Sequence, residues 1–452
     1  MSDEVKSLCE RIWKFEKDEN AFGFNVCGVW LWQAFRMKYY YQIACAEGIF
    51  EQPHYVSANE SKWRKLKIAL SYFFYVFFRN AFFEAVLKRS PIAILEHERQ
   101  QFHNGAFQDI YSAELKDALK REGTGYVSLR RRFLGEHKIS TRQGENRIFL
   151  DVIVLFGAFR RKMPFLSDMT DHDEKMLAGF ATRLGMISSE WSISKVALRS
   201  EIVRHNALIK VYRLLFRILG TKRLYVVVAY AFPEIVAAAR SLDIEVIELQ
   251  HGIVNRFHLG YSYPDECLSE PLALAYFPDV IESWGSVWTL NCDLPISRDK
   301  IWTSYGWPMR HGPATSTANH RDAAQITIIS QGSIGERICQ SVAQLLPKLP
   351  SSLTIKYKLH PSEFGRFLTY QQAGEVLADK RVELIEKGNL SDLLKESGTA
   401  VGVYSTGLIE ARELGCDVYI LPLPGSEYFD GIDWAKPITV FIEPDDTMGV
   451  RR

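Results

Sequence analysis

The stretch from Leu353 to Pro424 contains two strand–loop–helix units, and these units decide the fold. The first is the apolar run LTIKYKL at 353–359, which ends at His360-Pro361. The second is AVGVY at 400–404, then Ser405-Thr406-Gly407, then the helical pattern LIEAREL at 408–414. Open α/β sheets bind ligands beyond the carboxyl ends of parallel strands, where helix N-termini offer free N–H groups to phosphate. The stretch therefore predicts a site for a phosphate-bearing ligand.

The same rhythm begins earlier, at the apolar strand QITIIS of residues 325–330. A glycine-rich turn follows it, Gln331-Gly332-Ser333-Ile334-Gly335, and a helical pattern begins at Glu336. The turn lacks the lysine of a P-loop, so it is not a Walker A motif. Its backbone N–H groups could approach a pyrophosphate or a base, and an ordinary strand-to-helix turn is an equal alternative.

Several side chains in this half of the chain are candidates for holding the donor. His360 suits a phosphate contact, and a loop histidine with a satisfied hydrogen bond is the alternative. Ser405 and Thr406 could bind the same phosphate or serve as an ordinary N-cap. Glu363 could hold ribose hydroxyls or cap its own turn, and Glu410 could face a ribose. The full donor set is Gln331, Gly332, Ser333, Lys358, His360, Pro361, Glu363, Ser405, Thr406, Gly407 and Glu410.

The length of 452 residues exceeds one ordinary core and predicts two domains. We expect the α/β class, with two doubly wound, Rossmann-like domains that face a cleft. The predicted boundaries are an N-terminal helical cap at 1–89, an acceptor-binding domain at 90–310, a linker at 311–323 and a nucleotide-binding domain at 324–452.

The first α/β domain ends two of its predicted strands in polar clusters. One strand, at 90–95, is followed by Glu96-His97-Glu98, and another, at 243–249, by Gln250-His251-Gly252. A histidine there suits general-base work on an acceptor hydroxyl, because its pKa lies near 7. A structural or donor-binding role for His251 is the alternative, and Glu96, His97 and Glu98 are competing bases. Asp109 precedes the next helix and is a further acceptor-side candidate.

Composition excludes several classes of function. Lys and Arg total 55 against 54 Asp and Glu, so no global charge favours nucleic acid. The seven cysteines form no Cys-x-x-Cys pair, which disfavours zinc and a disulfide framework. No metal is expected, and no cofactor is expected beyond the donor. The polar N-terminus is unlike a signal peptide, so a cytoplasmic protein is expected.

One segment of the cap has a membrane alternative. Residues 62–67 are basic and aromatic, and residues 68–78 are apolar and rich in Phe and Tyr. This run is shorter than the roughly 20 residues that span a bilayer. It could lie in the interface of the inner membrane or form a buried helix.

Three short motifs together resemble one enzyme group. They are Gln250-His251-Gly252, Lys358-Leu359-His360-Pro361 and Tyr404-Ser405-Thr406 before a helix. The chain, over about residues 90–430, resembles the GT-B glycosyltransferases of bacterial capsule and lipopolysaccharide biosynthesis. The likeness is to the group with capsular Kdo transferases, His-Pro-motif sialyltransferases and teichoic-acid glycerophosphotransferases.

The resemblance implies roles for residues and a reaction. His360, Ser405 and Thr406 would contact the phosphate of a CMP- or CDP-activated donor, and His251 would be the base. The favoured reaction transfers a CMP-activated acidic sugar to a glycan or lipid-linked glycan. The alternatives are a glycerol- or ribitol-phosphate transferase, a non-catalytic nucleotide- or sugar-binding scaffold and an epimerase. The acidic base motif of the sialyltransferases has no clear match, so inversion and retention both stay open.

Overall fold

The structure is a computed structural model that describes residues 3–51, 81–97, 99–103, 106–131, 146–163, 169–268, 274–285, 288–290, 292, 294–304 and 321–442. Glu98, the segment 62–79 and residues 311–320 of the predicted linker lie outside these ranges. Predictions about them stay predictions.

The helices and strands alternate along most of the chain. The α-helices are α1 Glu4–Asp18, α2 Leu31–Ala46, α3 Ala81–Leu87, α4 Ala113–Arg121, α5 Asp151–Arg161, α6 Asp171–Leu184, α7 Lys195–Leu219, α8 Pro233–Arg240, α9 Asp265–Leu268, α10 Gly335–Leu345, α11 Ala373–Ala378, α12 Leu390–Glu396, α13 Thr406–Glu413 and α14 Ile438–Ile442. The strands are β1 Asn25–Val26, β2 Val29–Trp30, β3 Ile92–Leu95, β4 Gln100–His103, β5 Ala106–Asp109, β6 Val127–Arg130, β7 Arg147–Phe149, β8 Arg223–Val227, β9 Glu245–Leu249, β10 Val254–Asn255, β11 Val280–Glu282, β12 Thr289–Leu290, β13 Ile301–Trp302, β14 Asp322–Ile329, β15 Thr354–Lys358, β16 Val382–Ile385, β17 Ser397–Gly402, β18 Asp417–Ile420 and β19 Ala435–Pro437.

The first domain is built on a parallel sheet. Its described strands have the order β13-β11-β9-β8-β3-β6-β7, and each neighbouring pair is parallel. The central strands are apolar runs because helices cover both faces of such a sheet. Their carboxyl ends meet at one edge, which places the segments after β3, β8 and β9 side by side.

The second domain repeats this plan with the strand order β16-β15-β14-β17-β18-β19, again in parallel pairs. Ile328 of β14 lies opposite both Tyr357 of β15 and Val401 of β17. This register brings the turns that begin at Ser330, His360 and Ser405 to one edge. The predicted α/β class, with two Rossmann-like parallel-sheet domains and N-terminal helices, is confirmed.

The N-terminal helices pack on both domains. The Val5 N–H of α1 donates to Glu427 Oε1 of the second domain at 3.0 Å. Arg36 of α2 donates to the Ser262 carbonyl of the first domain at 2.8 Å. The largest hydrophobic cluster joins α1 and α2 to apolar residues of α6 and α7 in the first domain and to the sheet of the second. The N-terminal segment therefore fixes how the two domains sit relative to each other.

Two local expectations are refined by the structure. The apolar pattern of segment 149–156 fits a strand and a buried helix equally well, and most of the segment lies in α5. The turn after His360 was expected to start a helix, but it is a single 3₁₀ turn, Pro361–Glu363. A three-residue turn has little dipole, so His360 does not share its site with a helix N-terminus of its own.

Candidate functional site

His360 lies two residues after β15, with its imidazole in a defined tautomer. Its Nδ1 accepts the Ser362 N–H at 3.2 Å and lies 2.8 Å from Ser362 Oγ. Because Nδ1 acts as an acceptor, the neutral ring carries its proton on Nε2, which is left as a donor. Burial, followed by the charges of Arg99 and Lys358, lowers the pKa of His360, so the neutral ring prevails near pH 7. The residue can donate one N–H to an oxyanion.

Glu363 holds His360 in place. It is fully buried, and its Oε2 accepts the His360 N–H at 2.9 Å. Its Oε1 accepts hydroxyls from Ser330 at 2.9 Å and Tyr370 at 3.3 Å. Burial raises the pKa of Glu363. The carboxylate thus takes the capping role that the sequence left open, and it does not face the cleft.

Gly332 packs directly against the His360 turn. A Cβ on Gly332 would lie 1.7 Å from Ser362 Oγ and 3.1 Å from His360 Nδ1, so a side chain does not fit. The side chains on either side of it both bond to Tyr404. Gln331 accepts the Tyr404 N–H, and the Ser333 hydroxyl bonds to the Tyr404 hydroxyl. The glycine-rich turn therefore shapes the His360 pocket through its backbone.

The N-terminus of α10 is already occupied by an internal anion. Oε1 of Glu51, from the segment after α2, accepts the Glu336 N–H at 2.7 Å. The other oxygen of Glu51 pairs with Arg366. A pyrophosphate at this helix end, as the sequence allowed, would have to displace Glu51.

The N-terminus of α13 faces the cleft. Ser405 is its N-cap and accepts the Gly407 N–H at 3.2 Å. A Cβ on Gly407 would lie 2.6 Å from Leu390, so this glycine serves the packing of α13 on α12. Glu410, one turn on, accepts a hydroxyl from Ser391, and burial raises its pKa.

Lys358 lies at the edge of the same site. Its Nζ donates to the Glu386 carbonyl at 2.7 Å. Burial lowers the pKa of Lys358, and the charge of Glu386 opposes this effect. The positive charge of Lys358 lowers the pKa of the nearby His360. Pro361 is exposed and fixes the turn in which His360 sits.

Gln250 braces the loop that carries His251. The side chain is buried, and its Nε2 donates to the carbonyls of Gly252 at 2.8 Å and Trp288 at 3.0 Å. Its Oε1 accepts from the Ser283 hydroxyl and the Trp284 N–H. Since these bonds use its whole polar end, Gln250 positions the loop and does not touch an acceptor.

His251 belongs to a chain of hydrogen bonds that ends on a buried carboxylate. The Tyr261 hydroxyl donates to Glu248. Its oxygen therefore accepts the His251 Nδ1–H across 3.2 Å. Nε2 then holds the lone pair, 3.3 Å from the Tyr230 hydroxyl. With its side chain 20 % exposed, His251 is oriented as a proton acceptor at the cleft.

Burial controls the charges in this chain, which we name the His251 relay (Tyr230, Glu248, His251, His258 and Tyr261). Burial, and then the charges of His258 and His97, lower the pKa of His251 to about 3. Burial raises the pKa of Glu248 to about 7. The expectation of a His251 pKa near 7 is therefore wrong, because the ring is buried, and His251 is neutral at pH 7. Glu248 becomes charged close to that pH. A charge that develops on His251 during proton transfer can be offset by the Glu248 carboxylate.

A strained turn supports Glu248. Val228, just after β8, has φ 62° and ψ 59°, a left-handed conformation that β-branched residues rarely adopt. This conformation aims the N–H groups of Val228 and Ala229 at the Glu248 carboxylate. Successive N–H groups of this kind form an anion-binding nest. The strain is consistent with a functional role for the relay.

Glu96, a competing base, lies in a cage of cations. Lys116 pairs with one carboxylate oxygen, and Arg130 and Arg147 lie 3.8 and 3.7 Å from the other. Burial alone would raise the pKa of Glu96, but these cations outweigh it and the pKa is lowered. Because its carboxylate is buried and held by three cations, we rank Glu96 below His251 as the base.

Asp109 is also buried within its own loop. It accepts the Tyr111 N–H at 3.0 Å, the Ser112 hydroxyl at 2.7 Å and the His97 N–H at 3.2 Å. Burial raises the pKa of Asp109 to about 6. The residue organises the loop between β5 and α4 and does not reach the cleft.

The two halves of the site meet across the cleft. A Cβ on Gly252 would lie 3.5 Å from Thr406 Cγ2, so the His251 loop touches the start of α13. Arg99 of the first domain is exposed, and its charge acts on both His360 and Glu410 of the second. Its Nη1 donates to the Tyr111 hydroxyl at 3.3 Å, which holds the side chain near the cleft. The site therefore combines a cation from one domain with the donor candidates of the other.

Sequence reasoning missed much of this site. The apolar run at 224–230 indicates one long strand, but β8 ends at Val227 and Tyr230 lies in the following turn. Glu248 stood inside an apolar strand, which is itself a signal for a buried, partnered carboxylate. Arg99 was part of a polar cluster without an assigned role. The contact of His258 with Tyr230 is 3.5 Å long, and no sequence pattern predicted it.

The described residues contain neither a metal-binding cluster nor a membrane-spanning helix. No group of three His, Cys, Asp or Glu side chains there is arranged to hold a metal ion. None of the helices in these ranges is sufficiently long and apolar to cross a membrane.

The Glu248→Gln variant tests the buried relay. The folded-state pKa of Glu248, about 7, lies above its ordinary value of 4.5. Protonated Glu248 therefore makes its full contribution to the free energy of unfolding below pH 4.5. This contribution is lost as the pH rises to about 7. Glutamine does not ionise. Across this pH range, the free energy of unfolding of the wild type should therefore fall by up to about 3 kcal/mol relative to that of the variant. Urea unfolding at pH 4.5, 6 and 8 measures the difference, and a difference that does not change with pH would contradict the assignment.

No protein-family model and no curated protein matches the chain. Among solved structures it is similar to MurG of Acinetobacter baumannii, with 11 % identity over 76 % of this chain and 84 % of that one and a TM-score of 0.43. The kitacinnamycin glycotransferase shows 12 % identity, coverage of 78 % and 86 %, and a TM-score of 0.42. UDP-GlcNAc 2-epimerase of Methanocaldococcus jannaschii shows 9 % identity over 73 % of this chain and 82 % of that one, with a TM-score of 0.39. Likeness at this level says nothing about the activity of this chain.

Proposed function

We propose that the protein is a glycosyltransferase that moves a sugar from a nucleotide donor to a surface glycan. The favoured donor is a CMP-activated acidic sugar such as Kdo or a nonulosonic acid, and the acceptor is a capsule- or O-antigen-type glycan. The supporting observation is the meeting of three groups at one cleft. His360 offers a donor N–H, Arg99 offers a cation and His251 offers a lone pair.

The donor would bind against the second domain. The Nε2–H of His360 and the N-terminus of α13 suit a phosphate, as the sequence predicted for His360, Ser405 and Thr406. Arg99 suits either the phosphate or the carboxylate of an acidic sugar, because a guanidinium binds planar oxyanions through two parallel hydrogen bonds. These groups would offset the charge on the departing nucleotide without a metal ion or cofactor.

The acceptor would approach from the first domain. In the proposed reaction, Nε2 of His251 takes the proton of an acceptor hydroxyl, in place of its bond to Tyr230. The hydroxyl oxygen attacks the anomeric carbon, and the bond from that carbon to the phosphate oxygen breaks. The electron pair leaves with CMP, and the proton stays on His251, stabilised by Glu248 through Tyr261.

The setting follows from this reaction. Nucleotide-activated sugars are cytoplasmic substrates, so we place the protein in the cytoplasm. A lipid-linked glycan acceptor would be reached at the inner face of the membrane, and we therefore propose peripheral binding there.

A thermal-shift panel of CMP, CDP, UDP and GDP tests the donor assignment. A ligand that binds the folded state alone raises the melting temperature, and a concentration 100 times Kd adds about 2.7 kcal/mol. We expect CMP to give the largest shift. Shifts with UDP or GDP but none with CMP would rule out this donor class, and a shift with CDP above that with CMP would favour a glycerol- or ribitol-phosphate transferase.

A further inference from the structure

Helix α5 presents an apolar face to solvent. Leu155, Phe156 and Phe159 are 45 %, 39 % and 54 % exposed. Their spacing places them on one side of the helix. The other side is fixed to the first domain, since a Cβ on Gly157 would lie 3.0 Å from Leu208 of α7. Large aromatic residues grouped on one exposed face mark an interaction surface.

Positive charge adjoins this apolar face. Arg161 ends the helix and Lys162 follows it, and both are exposed. The neighbouring helix α3 packs beside α5 and ends in Val86 and Leu87, which are also exposed. A helix with Phe and Leu on its outer face and basic residues at its edge is typical of segments that lie on an anionic lipid interface. With 11 residues, α5 is too short to span a bilayer of about 30 Å.

A cavity leads from the basic end of α5 toward the His251 relay. Its volume is about 410 Å³, and Arg161 and Tyr230 both line it. Phe35 and Met37 form part of an apolar wall, and Lys38 and Arg204 add positive charge. Tyr230 connects the cavity to the relay, because its hydroxyl lies 3.3 Å from His251 Nε2.

The charges of the cavity favour an anion. Lys38, Arg161 and Arg204 line it together with the carboxylates Glu201 and Glu234. Lys38 and Arg161 share Glu201, at 2.8 and 2.7 Å, and Arg204 pairs with Glu234 at 3.0 Å. One carboxylate therefore serves two cations, and an incoming phosphate can take over one of them.

We propose that the α5 face docks on an anionic lipid surface and that the adjoining cavity binds the phosphate-bearing head of an acceptor held in that surface. The inference rests on the proposed function and specifies its acceptor as an amphiphilic anion. The apolar part of the acceptor stays in the lipid, and its head enters beside Arg161 and points to Tyr230.

Vesicle flotation tests the docking surface. The wild type should float with vesicles of phosphatidylcholine and phosphatidylglycerol and float poorly with phosphatidylcholine alone. The triple variant Leu155→Ser, Phe156→Ser, Phe159→Ser should bind about tenfold more weakly or worse, because it loses the apolar contact. The control is Met186→Ser, Val196→Ser, two side chains that are 71 % and 66 % exposed elsewhere. The control should float like the wild type.

Dodecyl phosphate and inorganic phosphate test the cavity. Dodecyl phosphate should raise the melting temperature of the wild type, and inorganic phosphate at the same concentration should not. Lys38→Ala should lower the shift given by dodecyl phosphate and leave flotation unchanged. Equal shifts from both phosphates, or an unchanged shift in Lys38→Ala, would overturn the cavity assignment.

Two results would overturn the docking surface: flotation that does not depend on phosphatidylglycerol, or equal flotation of wild type and triple variant. If the triple variant does not fold, the single variant Phe159→Ser replaces it with the same criterion. The CMP shift separates this inference from the proposed function, since the α5 variants leave the nucleotide site untouched. If the wild type does not float with the vesicles but its melting temperature still rises with CMP, this inference alone would be overturned.

Discussion

Replacing His251 with alanine should lower the transfer rate by about 10²–10⁴-fold, the range for loss of a general base. The variant removes the Nε2 lone pair and also leaves the Tyr261 hydroxyl without its partner on that side. Nucleotide affinity should change little, because the proposed donor groups other than Arg99 lie on the second domain. Steady-state transfer at saturating donor measures the effect.

The control for this variant is His172→Ala, which alters an exposed histidine of α6. It should keep the wild-type rate. A second comparison uses pH: the wild-type rate should rise through about pH 7 as Glu248 ionises behind His251, and Glu248→Gln should remove that rise. A His251→Ala enzyme with near wild-type rate at saturating donor would show that the base is another group.

Replacing His360 with alanine should weaken both donor binding and turnover. A hydrogen bond to a charged group contributes about 1.5–3 kcal/mol, so KM for the donor should rise by about 10–150-fold. The cause is the loss of the Nε2–H donor that the Ser362 contact enforces. His360→Gln keeps an N–H donor of similar reach and should recover part of the loss.

The His360 variants also test the charge state of the ring. Its pKa is lowered, so it binds as a neutral donor, and the effect of His360→Ala should be the same at pH 7 and pH 8. If His360→Ala leaves KM for the donor unchanged, or if His360→Ala and His360→Gln give the same KM, His360 does not bind the donor phosphate.

Apolar periodicity sufficed to predict the two sheets and the edges that carry the site. The strand at Val382–Ile385 and the helix that begins at Leu390 continue the same alternation of strand and helix. His251, His360 and Thr406 were found because each follows a strand that could be recognised as a buried run. In a parallel sheet, such positions converge whatever their distance along the chain.

Long-range packing accounts for what the sequence did not reveal. For Glu363 the sequence left a ribose contact and a cap of its own turn open, and the structure shows the cap. Gln250 was a candidate acceptor contact, but its amide is bonded to the distant Trp288 carbonyl, which no spacing rule predicts. Glu51 reaches α10 over 285 residues, and no local pattern encodes that contact. The relay depends on the positive φ of Val228. Valine rarely adopts this backbone conformation, so sequence propensities do not predict it.

The central claim is that the donor and acceptor chemistry belong to opposite sides of one cleft. Calorimetric titration of CMP into wild type, His360→Ala and His251→Ala tests it most directly. We predict binding to the wild type, affinity about 10–150-fold weaker in His360→Ala, and affinity within about twofold of wild type in His251→Ala. No binding of CMP to the wild type, or a loss of affinity in His251→Ala that matches that in His360→Ala, would contradict the account.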